Sequence, residues 1–255
     1  MNFSAARAGD TDWREEVTQA PLGKFAPLPD LRMHFVFGWS NVLQAAEADA
    51  TIKSLPGGYR AMVTGKTEGL ARTLWPLDAQ HSVSMTITPK KSGRVSQVER
   101  YRSRTIETLL RFDANGVDRR RVASSKDESK WKRVNFSPLY DMVGGILYIR
   151  SQPLRIGDKI GVVSFPGDSP YLTVVTVEKR ETIRCMGRDR PALRLSLDVR
   201  KLEVAKKAPT TAVPYTKFRS GTVWVSDDAL RIPIRAEMRI FVGFVYGEIK
   251  SCEQL

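Results

Sequence analysis

Cysteine and histidine are nearly absent from this chain. Its 255 residues include Cys185, Cys252, His34 and His81 and no others of either type. A structural zinc site takes about four ligands, usually in close pairs. These four residues have no such spacing, so no metal site is expected. Cys185 and Cys252 lie 67 positions apart. They read as free thiols, with a single disulfide as the alternative. Phosphate-cradling loops are also missing: Pro56-Gly57-Gly58 and Gly144-Gly145 fit neither the dinucleotide nor the P-loop pattern. No Gly-x-Ser-x-Gly elbow occurs, and no Ser or Cys has a local context for a hydrolytic triad. No cofactor and no catalytic residue is therefore expected. No apolar run approaches the roughly 20 residues of a membrane-spanning helix. Negative charge is scarce as well: 28 Asp+Glu face 41 Lys+Arg, a net charge of +13. That excess favours acidic partners (nucleic acid, anionic lipid or acidic glycan) without choosing among them.

Hydrophobic residues make up 42% of the chain, enough for a sizeable core. Their dominant period is two. Val83, Met85 and Ile87 alternate with Ser82, Ser84, Thr86 and Thr88. Leu193, Leu195, Leu197 and Val199 alternate with Arg194, Ser196, Asp198 and Arg200. Leu230 through Val242 repeats the pattern, its polar face carrying Arg231, Arg235, Glu237 and Arg239. Such alternation is a half-buried strand. Pro233 has no ladder donor, so it belongs at an edge or a bulge. Further strands are expected over 32–39, 43–54, 59–65, 96–112, 117–124, 131–136, 158–164, 171–180, 181–187, 219–226 and 244–250. Their short connections favour antiparallel neighbours.

Two helices are expected. One is short, from Glu68 to Trp75. The other spans 138–150, with Ser137 as N-cap and Pro138 at its first position. Leu139, Met142, Val143, Ile146 and Leu147 make it apolar on most sides. Each of Gly144 and Gly145 costs a helix about 1 kcal/mol relative to Ala, which close approach of a sheet would offset. The expected fold class is mainly β: one large, mainly antiparallel β domain whose curved sheet packs on one central apolar helix. Residues 1–30 read as an N-terminal arm, with a short helix from Trp13 to Gln19 capped by Asp12. Residues 31–255 read as the β domain.

Four stretches carry a family resemblance: Ser137-Pro138-Leu139-Tyr140-Asp141-Met142 through Leu147-Tyr148-Ile149-Arg150; Pro153-Leu154-Arg155-Ile156-Gly157-Asp158; Thr222-Val223-Trp224-Val225-Ser226-Asp227-Asp228 with Arg231-Ile232-Pro233; and Val242-Gly243. Together they resemble the bacterial family called domain of unknown function 3108, over about residues 31–253. The resemblance implies an exported protein with a single large curved antiparallel sheet, a half-barrel or open barrel, wrapped round one apolar helix, broadly similar to periplasmic lipoprotein carriers. It implies no catalytic residues. The segment Met1-Asn2-Phe3-Ser4-Ala5-Ala6-Arg7 has no apolar core and is not a secretory signal as written. The two readings are the mature part of a periplasmic or exported protein and a cytoplasmic one beginning at Met1.

Three sets of residues stand out. Leu139, Met142, Val143, Ile146 and Leu147, with Arg150 and Trp224, are expected to line a concavity for a lipid-like or hydrophobic ligand. Arg150 suits the C-terminal end of a helix and Asp141 the N-terminal end; the alternative for Arg150 is anchoring a ligand carboxylate or phosphate. The second set is basic. Between Lys90 and Arg133 the chain holds 14 Lys+Arg against 6 Asp+Glu. Arg100, Arg102 and Arg104 are expected on one face of a strand. Arg119, Arg120, Arg121, Lys130, Lys132 and Arg133 follow, with Tyr101 and Trp131 interleaved. Basic residues among aromatics hold anionic headgroups or single-stranded nucleic acid, or simply keep a sheet edge solvated. The third set is Asp227-Asp228, which fits a hairpin turn better than a carboxylate pair, since adjacent strand residues point to opposite faces. The functional expectation is a non-enzymatic envelope protein whose partner is a lipid or an anionic envelope component. The alternatives are a nucleic-acid-binding β module, a structural or assembly protein, and an enzyme using dispersed carboxylates.

Overall fold

A computed structural model describes residues 12–23, 28–86, 92–123, 126–217 and 220–255. Residues 1–11 of the expected arm lie outside it, as do Ile87, Thr88 and the Lys90 end of the basic stretch. Among the described residues the period-two segments form fifteen strands. The first half is a run of neighbours: β1 (Leu31–Trp39), β2 (Leu43–Leu55), β3 (Gly58–Thr67), β4 (Leu77–Thr86), β5 (Gly93–Tyr101), β6 (Arg104–Asp113), β7 (Gly116–Ala123) and β8 (Lys126–Asn135). The second half holds β9 (Lys159–Ser164), β10 (Tyr171–Cys185), β11 (Arg188–Ala205), β12 (Ala208–Pro214), β13 (Ser220–Ser226), β14 (Pro233–Arg239) and β15 (Phe244–Gln254). Every strand pairing is antiparallel, in one sheet ordered β8-β7-β6-β5-β4-β3-β2-β1-β15-β14-β13-β11-β10-β9, with β12 beside β11. The mainly β, open-sheet expectation holds.

Several boundaries differ from the sequence reading, each for a local reason. Segment 96–112 breaks at Arg102, which takes φ +50° in the β5–β6 turn. Arg102 therefore does not share a strand face with Arg100 and Arg104. Segments 171–180 and 181–187 are one strand with a bulge between Val177 and Lys179. The alternating run 230–242 is a strand only over β14; Leu230 and Ile232 belong to one turn, and Ile240 and Val242 to another. Pro233 opens β14 beside a register shift at Trp224/Val225, as a residue without an N–H should.

The sheet curls until its β8 edge reaches the β11–β12 hairpin. Asn135 at the end of β8 donates to the Lys207 carbonyl in the β11–β12 turn, 2.6 Å away. One core then joins Leu110, Phe112, Val117 and Val134 of the first half to Val163, Leu172 and Leu202 of the second. Strands β9 and β10 are buried on both faces: Val163 joins that core, while Val162 joins a second cluster with Val175, Leu193 and Leu195.

Two helices interrupt the strands, α1 (Gly69–Leu74) and α2 (Met142–Ser151). Helix α2 starts four residues later than expected. Its N-cap is Asp141, whose carboxylate accepts from Val143 N and Gly144 N at 3.0 and 3.2 Å. Ser137-Pro138 lies before the helix, joined by a cis peptide bond. The Gly144 position explains its glycine: a Cβ there would stand 2.6 Å from the Tyr59 hydroxyl.

The arm also has structure. Asp12 caps a one-turn 3-10 helix, Trp13–Glu16, and Trp13 is buried with its indole N–H on the Thr210 carbonyl. Thr18 then covers the free edge of β9. Its N–H donates to Gly161 O and its hydroxyl accepts from Gly161 N, both at 2.9 Å. The approach is close enough that a Cβ on Gly161 would fall 1.9 Å from the Glu16 carbonyl oxygen. Gly161→Ala should therefore push the arm off β9, at a cost of about 1–2 kcal/mol. Limited proteolysis would show faster cleavage within 12–23; an unchanged pattern would mean that the arm is not held there.

Candidate functional site

Helix α2 lies inside the curl of the sheet and divides it. Val143 and Leu147 face the first core, where Leu139 is also buried. Met142 and Ile146 face the other way and are 50% and 44% exposed. The space before them is a cleft of about 480 Å³, within the range of about 300–1,000 Å³ for small-molecule sites. Its walls are apolar: Ile149 of α2, Val162 of β9, Val175 of β10, Leu195 and Leu197 of β11, Val223 and Val225 of β13, and Met238 of β14. Period two supplies these walls, because every second residue of β11 and β13 points into the cleft. Along β14 the cleft runs from Pro233 to Met238, roughly 16 Å at strand rise.

Two arginines close one end, where α2 finishes and β14 begins. Arg150 donates to the carbonyls of Leu230 at 2.5 Å and Ala229 at 3.2 Å. Arg231 reciprocates, donating to Gln152 O at 2.5 Å and Pro153 O at 2.9 Å. Each thus laces its own segment to the other's backbone. Burial is the main influence lowering the pKa of each, and for Arg150 the charge of Arg231 adds to it. Guanidinium groups stay protonated through such shifts. Nearby Asp227 is bonded by Arg180 at 2.9 Å. Asp228 accepts from the Ser226 hydroxyl and from Leu230 N and Arg231 N, shaping the turn between β13 and β14. Three arginines and two aspartates leave this end positive.

Of the residues expected at the concavity, the structure brings Met142, Ile146 and Arg150 to the cleft. Leu139, Val143 and Leu147 lie on the core side of α2. Trp224 is buried in a third cluster with Cys185, Ile234 and Ile249, and its indole N–H donates to Glu181 at 2.7 Å. Cys185 and Cys252 are free thiols. Sequence reasoning missed Arg231 and Met238 as lining residues. Met238 lies on the β14 alternation and Arg231 in the turn before it; the side of the sheet that stays open was not legible.

Asp141 is the most deeply buried carboxylate near α2, 2% exposed. It also accepts a short hydrogen bond from the Tyr59 hydroxyl on β3. Burial raises its pKa, against the opposing pull of Tyr59 and of the Gly144 and Val143 amides. Burial, then the Asp141 charge, raises that of Tyr59. The pair ties α2 to the first half of the sheet.

The basic residues separate into two groups. Arg100, Arg102 and Arg104 are exposed at the β5–β6 hairpin. Arg119, Arg120 and Arg121 are half-buried on β7, and Lys130 and Lys132 are exposed on β8. Arg133 is clasped by Asp113 at 2.7 and 2.8 Å and reaches Asp118 at 3.2 Å. Arg119 lies directly opposite Lys132, and Arg111 covers the Trp131 ring at 4.2 Å.

Comparison with known proteins places this geometry. A β-barrel-like protein of domain of unknown function 1849 from Brucella abortus superposes with a TM-score of 0.62 at 9% identity, over 89% of this chain and 98% of that one. The likeness is one of fold. A candidate lipoprotein from Parabacteroides distasonis gives a TM-score of 0.38 at 7% identity, covering 92% of this chain and 100% of its own. No curated protein matches the sequence. The family model for a protein of unknown function, domain of unknown function 3108, matches residues 31–250, and the chain belongs to that family.

Proposed function

We propose that the cleft beside α2 holds the apolar part of a lipid-like amphiphile, and that the protein acts by binding rather than by catalysis. The observation that carries this reading is the apolar side of α2. Met142 and Ile146 stay exposed on a helix that the sheet curls around, where a folded protein would ordinarily bury them. An occupant in the 480 Å³ cleft would cover them. The positive end formed by Arg150 and Arg231 favours an acidic head, a carboxylate or a phosphate, beside an apolar tail. An envelope setting is consistent with the family's resemblance to exported carriers. Among the described residues no helix is long and apolar enough to cross a membrane.

The test is mass spectrometry of the folded protein under native conditions, then after solvent extraction. An extractable amphiphile bound one to one, released on unfolding, is the expected result. A clean mass in protein reloaded with excess long-chain acid would overturn the reading and leave a structural or surface role.

A further inference from the structure

Away from the cleft, one end of the sheet carries an apolar rim. In an antiparallel meander alternate turns fall at alternate ends. The β1–β2, β3–β4 and β5–β6 connections therefore share an end. The β14–β15 turn joins them, because Trp39 of β1 lies opposite Val245 of β15. The turns are bonded side to side. The Trp39 indole N–H donates to Val242 O at 3.0 Å, Glu68 N to Ala45 O at 2.8 Å and the Arg102 guanidinium to Leu74 O at 3.0 Å. Trp75 stacks obliquely on Tyr101, ring centres 5.3 Å apart.

The rim's apolar side chains point outward. Phe241 is 85% exposed, Val42 83% and Leu74 70%; Leu70, Val242 and Trp75 are each 60% exposed or more. Single exposed apolar residues are ordinary, but a run of large ones on three neighbouring turns marks an interaction surface. The charges among them have one dominant sign. Segments 39–43, 68–76, 101–105 and 239–244 hold Arg72, Arg102, Arg104 and Arg239 against Glu68 alone. Arg72 is held by Asp78 at 2.8 Å, while Arg102, Arg104 and Arg239 are exposed.

We infer that this rim docks the protein on an anionic lipid bilayer, with Phe241, Val242, Val42, Leu74 and Trp75 entering the headgroup layer and Arg102, Arg104 and Arg239 meeting lipid phosphates. Aromatic side chains favour the depth at which headgroups meet acyl chains. Apolar burial combined with attraction between basic residues and anionic lipid is how peripheral proteins hold a membrane surface. A protein partner of matching acidity would need apolar pockets for turns that project singly; a bilayer needs none. The inference stands independently of the cleft.

The experiment is co-sedimentation of the full chain with vesicles of phosphatidylcholine, with and without about one third phosphatidylglycerol. Tryptophan emission is followed in parallel. Binding to the anionic vesicles with a blue shift is expected, falling steeply with salt. Phe241→Ser with Val242→Ser should weaken partitioning tenfold or more, and so should Arg104→Glu with Arg239→Glu. Lys130→Glu with Lys132→Glu, on the separate β8 edge, should change it less than twofold. All these side chains are exposed, so thermal midpoints should match the parent chain and confirm folding. Absence of binding, or binding indifferent to the Phe241 and Val242 changes, would overturn the inference. So would a dimer in solution that those two changes dissociate, which would assign the rim to a second copy.

Discussion

Asp141→Ala should cost about 3 kcal/mol of stability, read as a fall in the urea midpoint with little change in slope. Two losses add. The N-cap acceptor for Val143 N and Gly144 N disappears, worth about 1 kcal/mol. The Tyr59 hydroxyl, buried on β3, loses its carboxylate partner, which costs about 1–3 kcal/mol. Asp141→Asn keeps an acceptor oxygen in place and should cost about 1 kcal/mol. A loss below about 0.5 kcal/mol for the alanine variant would mean that α2 is positioned by apolar packing alone.

The same carboxyl has a pH signature. Its pKa is raised above 3.8 by burial, so the folded chain holds that proton to higher pH than the unfolded chain does. A group of this kind contributes stability that is fully present below the unfolded pKa and lost as pH rises through the folded one. The stability advantage of the parent chain over Asp141→Asn should therefore shrink as pH climbs above about 4. Carboxylates whose pKa is lowered, such as Asp113 beside Arg133 and Glu16 beside Arg200, follow the opposite course, but they are common to both chains and cancel in the comparison. A gap that widens with pH would show that the hydrogen bonds from Tyr59, Gly144 and Val143 outweigh burial.

Much of the fold was legible because a strand with one dry face writes its period into the sequence. The alternation on Leu193–Val199 marks the two faces of β11, and the run after Leu230 locates β14. The errors came where alternation persisted through a turn. Arg102 interrupts a continuous pattern by adopting φ +50°, a conformation its side chain does not announce. Ile240 and Val242 keep the β14 period after pairing has stopped, in a turn where Val242 is 61% exposed. The α2 start was misplaced for a related reason. Ser137-Pro138 is a good local start signal, yet the cap is Asp141, chosen by a tyrosine 82 residues earlier. The cleft was legible only as apolar excess on α2. Sequence showed that the helix is apolar on more faces than one sheet can cover. It did not show that Leu139, Val143 and Leu147 go to the filled side and Met142 and Ile146 to the open one, because that depends on how far β8 and β12 travel before they meet.

Filling the open side should weaken ligand binding roughly 70-fold without touching the fold. Ile146 is 44% exposed and points into the cleft, so Ile146→Trp places a large ring in space that no protein atom occupies. Denying a ligand about 100 Å² of apolar contact costs about 2.5 kcal/mol, a loss of roughly 70-fold in affinity. A fluorescent long-chain acid would report it by titration. The thermal midpoint should stay within the scatter of surface substitutions, about 0.5 kcal/mol. Met62→Trp, at an exposed position on β3 that does not line the cleft, is the matched control and should bind normally. The head is tested on the unaltered protein, since Arg150 and Arg231 also lace α2 to the 227–232 turn and their removal would confound binding with folding. Among probes of equal chain length, the acid should bind about tenfold more tightly than the alcohol, and an amine more weakly than either. Equal affinities for acid and alcohol would confine the site to tail recognition. An Ile146→Trp chain that binds as well as its parent would remove the cleft as the site altogether, because no occupant can share that space with an indole.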